Sequence, residues 1–310
     1  MAPLPGQPGS ASRMNTTDAT GVVIVNYNAG NWLPRCVEAV AESAGPVEII
    51  VVDNASTDDS VERLCAALPM AAPVEVVRNT ANTGYARACN QGAAQTEAFT
   101  LVFLNPDCIV ESDTLAILRR ALDEDSRAGL AGALILDPGG SEQRAVRRRL
   151  PTPGRALSTL SGLERLGVGG INAASDPLPA HPVEVEAVSG ALLCLRRQAF
   201  DAVGGFDEDY FLHCEDLDLF VRLRAGGWKL LLVPAARAMH GLGVSSASAP
   251  LRAWWYKHLG MHRFYRRHLA TQQSWPVPWL VLAGIWLRWA LLMPWVAVRS
   301  LGAHQPADPD

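Results

Sequence analysis

The chain has 310 residues, 49% hydrophobic and 19% charged, with a formal net charge of −4. These proportions belong to a folded globular chain, and an acidic molecule of this kind is not built to bind nucleic acid by blanketing its phosphates. Six cysteines (Cys36, Cys65, Cys89, Cys108, Cys194 and Cys214) stand singly with no Cys-x-x-Cys pair, which argues against a zinc site or disulfide framework and fits a reducing cytosol.

Residues 1–20 are rich in Pro, Gly, Ser, Ala and Thr and read as a disordered leader without a secretory signal. From Gly21 the pattern becomes regular. Apolar runs at Val22–Asn26, Glu48–Val52, Val74–Arg78 and Thr100–Leu104 predict buried strands. Helical spacing between them predicts helices over Trp32–Ala44, Asp58–Leu68 and Gly84–Gln95. Strands of continuous apolar character alternating with helices predict an α/β fold: a Rossmann-like, mostly parallel sheet flanked by helices, with ligands at the carboxyl ends of its strands. From about Asp137 to Pro182 the rhythm breaks into a Gly- and Pro-rich stretch carrying Arg147-Arg148-Arg149, read as a partly mobile excursion over the active face. Order returns with Val183–Leu195, a helix from near Glu215 and a strand at Lys229–Val233.

Polar residues gather where these strands end. Asn26-Tyr27-Asn28 and Asp53-Asn54-Ala55-Ser56 follow the first two strands, where a carboxylate can accept from a base N–H and an aromatic ring can stack. No Gly-x-Gly-x-x-Gly follows the first strand, which argues against a dinucleotide enzyme. Asn82-Thr83-Gly84-Tyr85-Ala86-Arg87 enters a helix whose first N–H groups favour an anion. Asn105-Pro106-Asp107 offers a carboxylate that could hold a cation against a diphosphate. His213, Glu215, Asp216 and Asp218 crowd one helix start, more acid than capping needs, and crowded carboxylates beside apolar surface suit a general base. His240 lies beyond the last strand in a glycine-bearing loop with Ser245 and Ser246, placed to complete a metal shell.

In this order the motifs resemble glycosyltransferase family 2, which has the GT-A fold. The matching pieces are Val23–Asn28, Val51–Ser56, Asn82–Ala86, Asn105-Pro106-Asp107, Ser189-Gly190-Ala191, Gly204–Glu208, Glu215-Asp216 and His240, spanning residues 21–246. The pattern is similar in flavour to bacterial rhamnosyltransferases that use dTDP-L-rhamnose in lipopolysaccharide or cell-wall assembly. The resemblance implies nucleotide-sugar binding by Asn26, Tyr27, Asp53, Asn82, Gly84, Arg87, Asn105, Ser189 and Gly190. It further implies a divalent metal, Mg2+ or Mn2+, on Asp107 and His240, with Asp216 as general base and Glu215 orienting the acceptor. Asn105 departs from the pattern, since it stands where the family's metal motif has its first aspartate. A UDP-sugar donor (hexosyl or galactofuranosyl), a catalytically inactive sugar-nucleotide-binding scaffold and a nucleotidyltransferase are the alternatives.

Residues 247–310 form a third region of different material. Seven of the nine tryptophans fall after residue 250, beside Lys257, Arg263, Arg266 and Arg267. A helix over Val277–Met293 would span roughly 25 Å, short of the ~30 Å hydrocarbon core. Trp275, Trp279, Leu282, Trp286, Trp289 and Met293 share one stripe of that helix, with Arg288 opposite. This predicts a tail lying in the inner face of the cytoplasmic membrane, which a lipid-linked acceptor would give a purpose; packing on the core or on a second copy, as a homodimer, is the other reading.

Overall fold

The computed structural model describes residues 19–143, 146–161, 169–172, 176–241 and 250–302. Most of the leader and the Ser245-Ser246 segment therefore lie outside the described residues. The first half follows the expected alternation: β1 (Thr20–Asn26), α1 (Trp32–Ala41), β2 (Val47–Asp53), α2 (Ser60–Ala67), β3 (Val74–Arg78), α3 (Tyr85–Ala93) and β4 (Thr100–Leu104). Then come β5 (Cys108–Val110), α4 (Thr114–Glu124) and β6 (Ala128–Leu136), a segment without a predicted element. The chain continues through α5 (Pro153–Ser161), β7 (Val183–Glu184), β8 (Leu192–Arg196), α6 (Arg197–Ala202), α7 (Glu215–Ala225) and β9 (Lys229–His240). Two long helices, α8 (Pro250–His268) and α9 (Val277–Gly302), follow.

The strands form one sheet in the order β3-β2-β1-β4-β8-β6-β9-β5, with β7 also on β9. Six of its strands run one way and three run against them. β3, β2, β1 and β4 run parallel, as do β6 and β9, but β8, β5 and β7 pair antiparallel. The reason lies in the connections. No crossover helix directly precedes β8; the chain reaches it from the long excursion and enters between β4 and β6 in the opposite direction.

Each inner strand buries both faces, so its side chains alternate between two cores. Val22, Ile24, Ile49 and Val51 pack under α1, α2 and α4. Val23, Val25, Ile50 and Val52 pack under α3, α6 and α7. This two-sided burial explains why the strands read as continuous apolar runs. The β1–β2 register sets Asn26 beside Asp53, bringing the first two polar strand ends together.

β9 runs seven residues past its expected end at Val233. Its pairing with β6 jumps from Ala133↔Val233 to Leu134↔Arg237, so Pro234 falls in a bulge and the strand resumes beyond it. His240 is consequently the last residue of a strand, not part of a flexible loop.

Two other expectations change. The described parts of the excursion are tied down: Arg147 is buried and paired with Glu142 at 2.7 Å, and Arg155 with Glu186 at 2.5 Å. The tail helix α9 has 26 residues, and its Val277–Arg299 segment, with mean hydropathy 1.7, is long and apolar enough to cross a membrane by length and composition. The expected stripe also splits. Arg288 turns inward over Trp254 (4.9 Å to the ring centre) with Nη1 2.9 Å from His258 Nε2, while Trp286 and Trp289 lean on Trp255 of α8. Trp275, Trp279 and Met293 of the expected stripe are exposed, joined by Leu280, Leu287, Leu291, Trp295 and Val298, while the face packed on α8 takes in the stem of Arg288.

Candidate active site

A cavity of about 870 Å³ opens over the carboxyl ends of β1 and β4, between the 211–217 segment and helices α8 and α9. Tyr27, Asn82, Gly84, Asn105, Asp107, Ser189, Gly190, Glu215, Asp216 and His240 all line it. Asn26, Asp53 and Arg87 do not.

Asn26 and Asp53 form the floor. The Asn26 Nδ2 is fully enclosed and donates to Asp53 Oδ1 (2.8 Å), Ser56 Oγ (3.0 Å) and Ser60 Oγ (2.9 Å). Asp53 Oδ2 accepts from the Ser56 N–H at 3.3 Å, so the carboxylate is held in place by the chain on both sides. Asn54 organises the next wall, donating to Asn82 Oδ1 and to the Gly84 carbonyl and accepting from the Thr83 N–H. Gly84 has φ +89°, and a β-carbon there would meet the Phe211 carbonyl at 2.8 Å. Only glycine lets the start of α3 close against that strand of chain. Arg87, on the next turn, faces outward and pairs with Glu208 at 2.8 Å. A half-turn of helix separates it from the cavity, so nucleotide contact by Arg87 would require that ion pair to open.

At the end of β4, Asp107 is buried with Oδ1 3.1 Å from His240 Nε2, and Asn105 Nδ2 lies 3.2 Å from the same nitrogen. The antiparallel pairing of β5 with β9 brings these residues together. Gln143 settles the ring's tautomer. Its Nε2 donates to the His240 carbonyl at 2.7 Å, which leaves its Oε1 facing Nδ1 at 3.1 Å to accept that ring hydrogen. Nε2 then faces the Asp107 carboxylate, an arrangement in which the two side chains could share a cation. Among the described residues no group of three or more His, Cys, Asp or Glu side chains gathers as a metal cage. A cation here would draw its remaining ligands from water and phosphate, as Mg2+ commonly does.

The third wall carries the acids. His213 and Cys214 both adopt φ +69°, which swings the chain into α7 and aims Glu215 and Asp216 at the cavity. Glu215 is buried and its Oε2 has no hydrogen-bond partner. Burial, then the neighbouring Asp216, pushes its pKa up to about 8, so at neutral pH it is a carboxylic acid with a proton to offer. Burial, then Lys257, lowers that of His213 to about 4 and keeps its ring neutral. Asp216 Oδ2 meets Arg148 Nη2, and its Oδ1 accepts from the Leu217 N–H. A β-carbon on Gly190 would stand 3.0 Å from Asp216 Oδ2, so the missing side chain leaves room beside the carboxylate. Asp218, in the same cluster, serves the frame: wholly buried, it accepts from Arg222 Nε (2.6 Å) and lies 2.7 Å from His268 Nε2 at the end of α8.

Arg148, Gln143 and the α8 residues escape sequence reasoning. Arg148 is the middle of three consecutive arginines, and its neighbours turn elsewhere: Arg147 to Glu142, Arg149 to Asp176. Bridges from Arg148 to Ala187 and Asn172 fix its direction, and Nη2 also donates to the Val188 carbonyl at 2.8 Å. Nothing in an Arg-Arg-Arg run marks which member faces inward.

Comparison with known proteins agrees with this geometry. The "Glycosyl transferase family 2" model matches residues 21–172 and the "Glycosyl transferase family group 2" model residues 153–303, so that together they take in the described chain almost entirely. The N-acetylglucosaminyl-diphospho-decaprenol L-rhamnosyltransferase of Mycobacterium tuberculosis is 29% identical over 305 residues, covering 89% of this chain and 94% of that protein. Rhamnosyltransferase WbbL of Escherichia coli is 31% identical over 140 residues, 45% of this chain and 51% of its own. Among solved structures, the mannosyltransferase PcManGT of Pyrobaculum calidifontis with GDP-Man and Mn2+ superposes with a TM-score of 0.55 at 18% identity, covering 91% of this chain and 73% of its own. GalNAc-T7 with UDP, GalNAc and Mn2+ superposes with a TM-score of 0.54 at 21% identity, covering 81% and 52%. The chain belongs to glycosyltransferase family 2 and is a glycosyltransferase of the GT-A fold.

Proposed function

We propose that this enzyme transfers L-rhamnose from dTDP-L-rhamnose, with inversion, to a hydroxyl of a lipid-linked glycan at the cytoplasmic membrane surface. One observation carries the reading: the similarity to the mycobacterial rhamnosyltransferase extends across 89% of the chain, beyond the part that holds a nucleotide sugar. The base would rest near Asp53 and Tyr27, and the sugar near Ser189 and Gly190. Asp107 and His240 would hold a divalent cation, which when bound offsets the charge that develops on a departing diphosphate.

Asp216 takes the proton from the acceptor hydroxyl while that oxygen bonds to the anomeric carbon. The bond from that carbon to the diphosphate oxygen breaks with its electrons, and the configuration inverts. Arg148 steers the carboxylate: anchored on the Val188 carbonyl, it holds one Asp216 oxygen and leaves the orientation of the other fixed by the Leu217 N–H. Glu215, protonated, donates to an acceptor oxygen and fixes which hydroxyl faces the base. The outer stripe of α9, apolar apart from Arg299 over the Trp295 ring at its end, supports association with the membrane, and the packing of its inner face on α8 favours a helix lying along that surface.

Asp216→Asn removes the base without changing shape. Transfer, followed as dTDP release in the presence of acceptor, should fall at least ~10³-fold, while the donor's thermal stabilisation of the protein is retained. Turnover within tenfold of the parent refutes the assignment. A larger stabilisation by a UDP-sugar than by dTDP-L-rhamnose would keep the reaction and replace the donor.

A further inference from the structure

One end of the cavity is left unexplained by a nucleotide sugar and a sugar hydroxyl. Past His213 its walls come from the two C-terminal helices: Met261 and Phe264 of α8, and Val281 and Ile285 of α9. Lys257 and Arg252, solvent-exposed on two faces of α8, also line the cavity, whose opposite wall carries the acids of α7.

The charge of this region is one-sided. Between Asp218 and Asp308 the sequence has no aspartate or glutamate, yet α8 and α9 carry Arg252, Lys257, Arg263, Arg266, Arg267, Arg288 and Arg299. Arg263 and Arg267 find acids on other elements, at Asp207, Asp209 and Asp218. Arg288 is satisfied by a tryptophan face and a histidine nitrogen. Among the described residues neither Lys257 nor Arg252 has a carboxylate partner, although both line a cavity that holds Glu215 and Asp216. Unpaired cations on the lining of a cavity whose far end is apolar suit an anionic group. An amphiphile with an anionic head fits both: head at Lys257 and Arg252, chain against the apolar wall of α8 and α9.

The tail is also built into the catalytic wall. Tyr256 stacks on Phe211 at 4.1 Å, and Gly260 lies so close to the 213 loop that a β-carbon would meet the His213 carbonyl at 2.5 Å. An anion at Lys257 would therefore sit one side chain from the loop that aims Glu215 and Asp216.

We propose that the α8–α9 end of the cavity binds the anchor of the acceptor, Lys257 and Arg252 taking a diphosphate and Met261, Phe264, Val281 and Ile285 the first units of a polyprenyl chain. This rests on the lipid-linked acceptor of the preceding section and assigns the part of the chain that reads it. The bound diphosphate would place the attached sugar's hydroxyl toward Asp216, so the same contact gives affinity and register.

Farnesyl diphosphate serves as a probe of binding, independent of turnover. The full chain should bind it, and Lys257→Gln with Arg252→Gln should weaken that binding by about tenfold or more, as should Val281→Asp. In turnover, the Lys257→Gln, Arg252→Gln protein should lose at least ~tenfold more kcat/KM for an N-acetylglucosaminyl diphosphate carrying a prenyl chain than for octyl N-acetylglucosaminide, which has no diphosphate. Farnesyl diphosphate binding that ignores all three substitutions, while transfer persists, overturns the anchor site and leaves the rhamnosyltransferase reading standing. Lys257-dependent probe binding by a protein that transfers to no acceptor does the reverse. Loss of affinity for phosphatidylglycerol vesicles with unchanged affinity for farnesyl diphosphate overturns the proposal in favour of a phospholipid headgroup.

Discussion

Replacing Glu215 with Gln tests whether this buried carboxyl is protonated at working pH. In the folded protein it holds its proton up to about pH 8, whereas the unfolded chain releases it near 4.5. Between those values the native state binds the extra proton, so stability falls as pH rises. His213 acts with the opposite sign: its folded pKa of about 4 lies below the ordinary 6.5, so between them the unfolded state binds the extra proton and stability rises with pH. Burial lowers the pKa of His258 and His262 in the same direction, so these histidines oppose the Glu215 slope up to about pH 6.5 and little above it. From pH 6.5 to 8, at about 1.4 kcal/mol per unit, the parent protein should lose about 2 kcal/mol through this group. In a chain of this size that is a fall of about 3 °C in Tm. Glu215→Gln keeps the shape and removes the titration. Between pH 6.5 and 8 its Tm should fall about 3 °C less than the parent's, read by thermal melts across a buffer series. Parallel curves for parent and variant over that interval would refute a protonated Glu215, and with it the hydrogen bond it offers the acceptor.

Asp107→Asn combined with His240→Ala should abolish the extra thermal stabilisation that Mn2+ or Mg2+ gives in the presence of dTDP, a shift worth about 2.7 kcal/mol at a hundredfold excess over Kd; persistence of the metal-dependent shift would place the cation elsewhere. Gly260→Ala forces α8 away from the His213 carbonyl. It should cost about 1–3 kcal/mol in stability and lower kcat while leaving donor binding at the β1 and β2 ends intact, measured by melts and by titration with dTDP-L-rhamnose. Unchanged kcat would show that α8 does not support the acid-bearing loop.

What the sequence made legible and what it hid divide along physical lines. β4 has the expected bounds because a strand buried on both faces leaves an unbroken apolar run ended by polar residues, and β3, a half-exposed edge strand, keeps its bounds through Val74, Val76 and Val77. The pairing of Asn26 with Asp53 follows from two such runs ending alike beside one another. Strand direction is another matter, since Leu192–Arg196 reads the same whichever way it runs, and its antiparallel entry depends on where the excursion leaves the chain. Pro234 masked the second half of β9, as proline normally ends a central strand and here is absorbed by a bulge. The tail misled through periodicity: tryptophans at helical spacing mark a face but not which neighbour covers it, and α8 claims Trp286 and Trp289. Arg148 is a tertiary fact. Its identity as the steering cation exists only once Val188 and Asp216 are beside it.

The glycine contact between α8 and the His213 carbonyl also bears on how this enzyme can be handled and evolved. A shortened chain ending near residue 246, the natural cut between a sugar-nucleotide part and its appendage, would lose Tyr256 from Phe211, His268 from Asp218 and one whole wall of the cavity. Trimming for solubility would thus blunt the catalyst itself. By the same coupling, substitutions that retune the tail for a different lipid or membrane press directly on the hinge at His213 and Cys214, so acceptor choice and reaction rate would drift together, not independently.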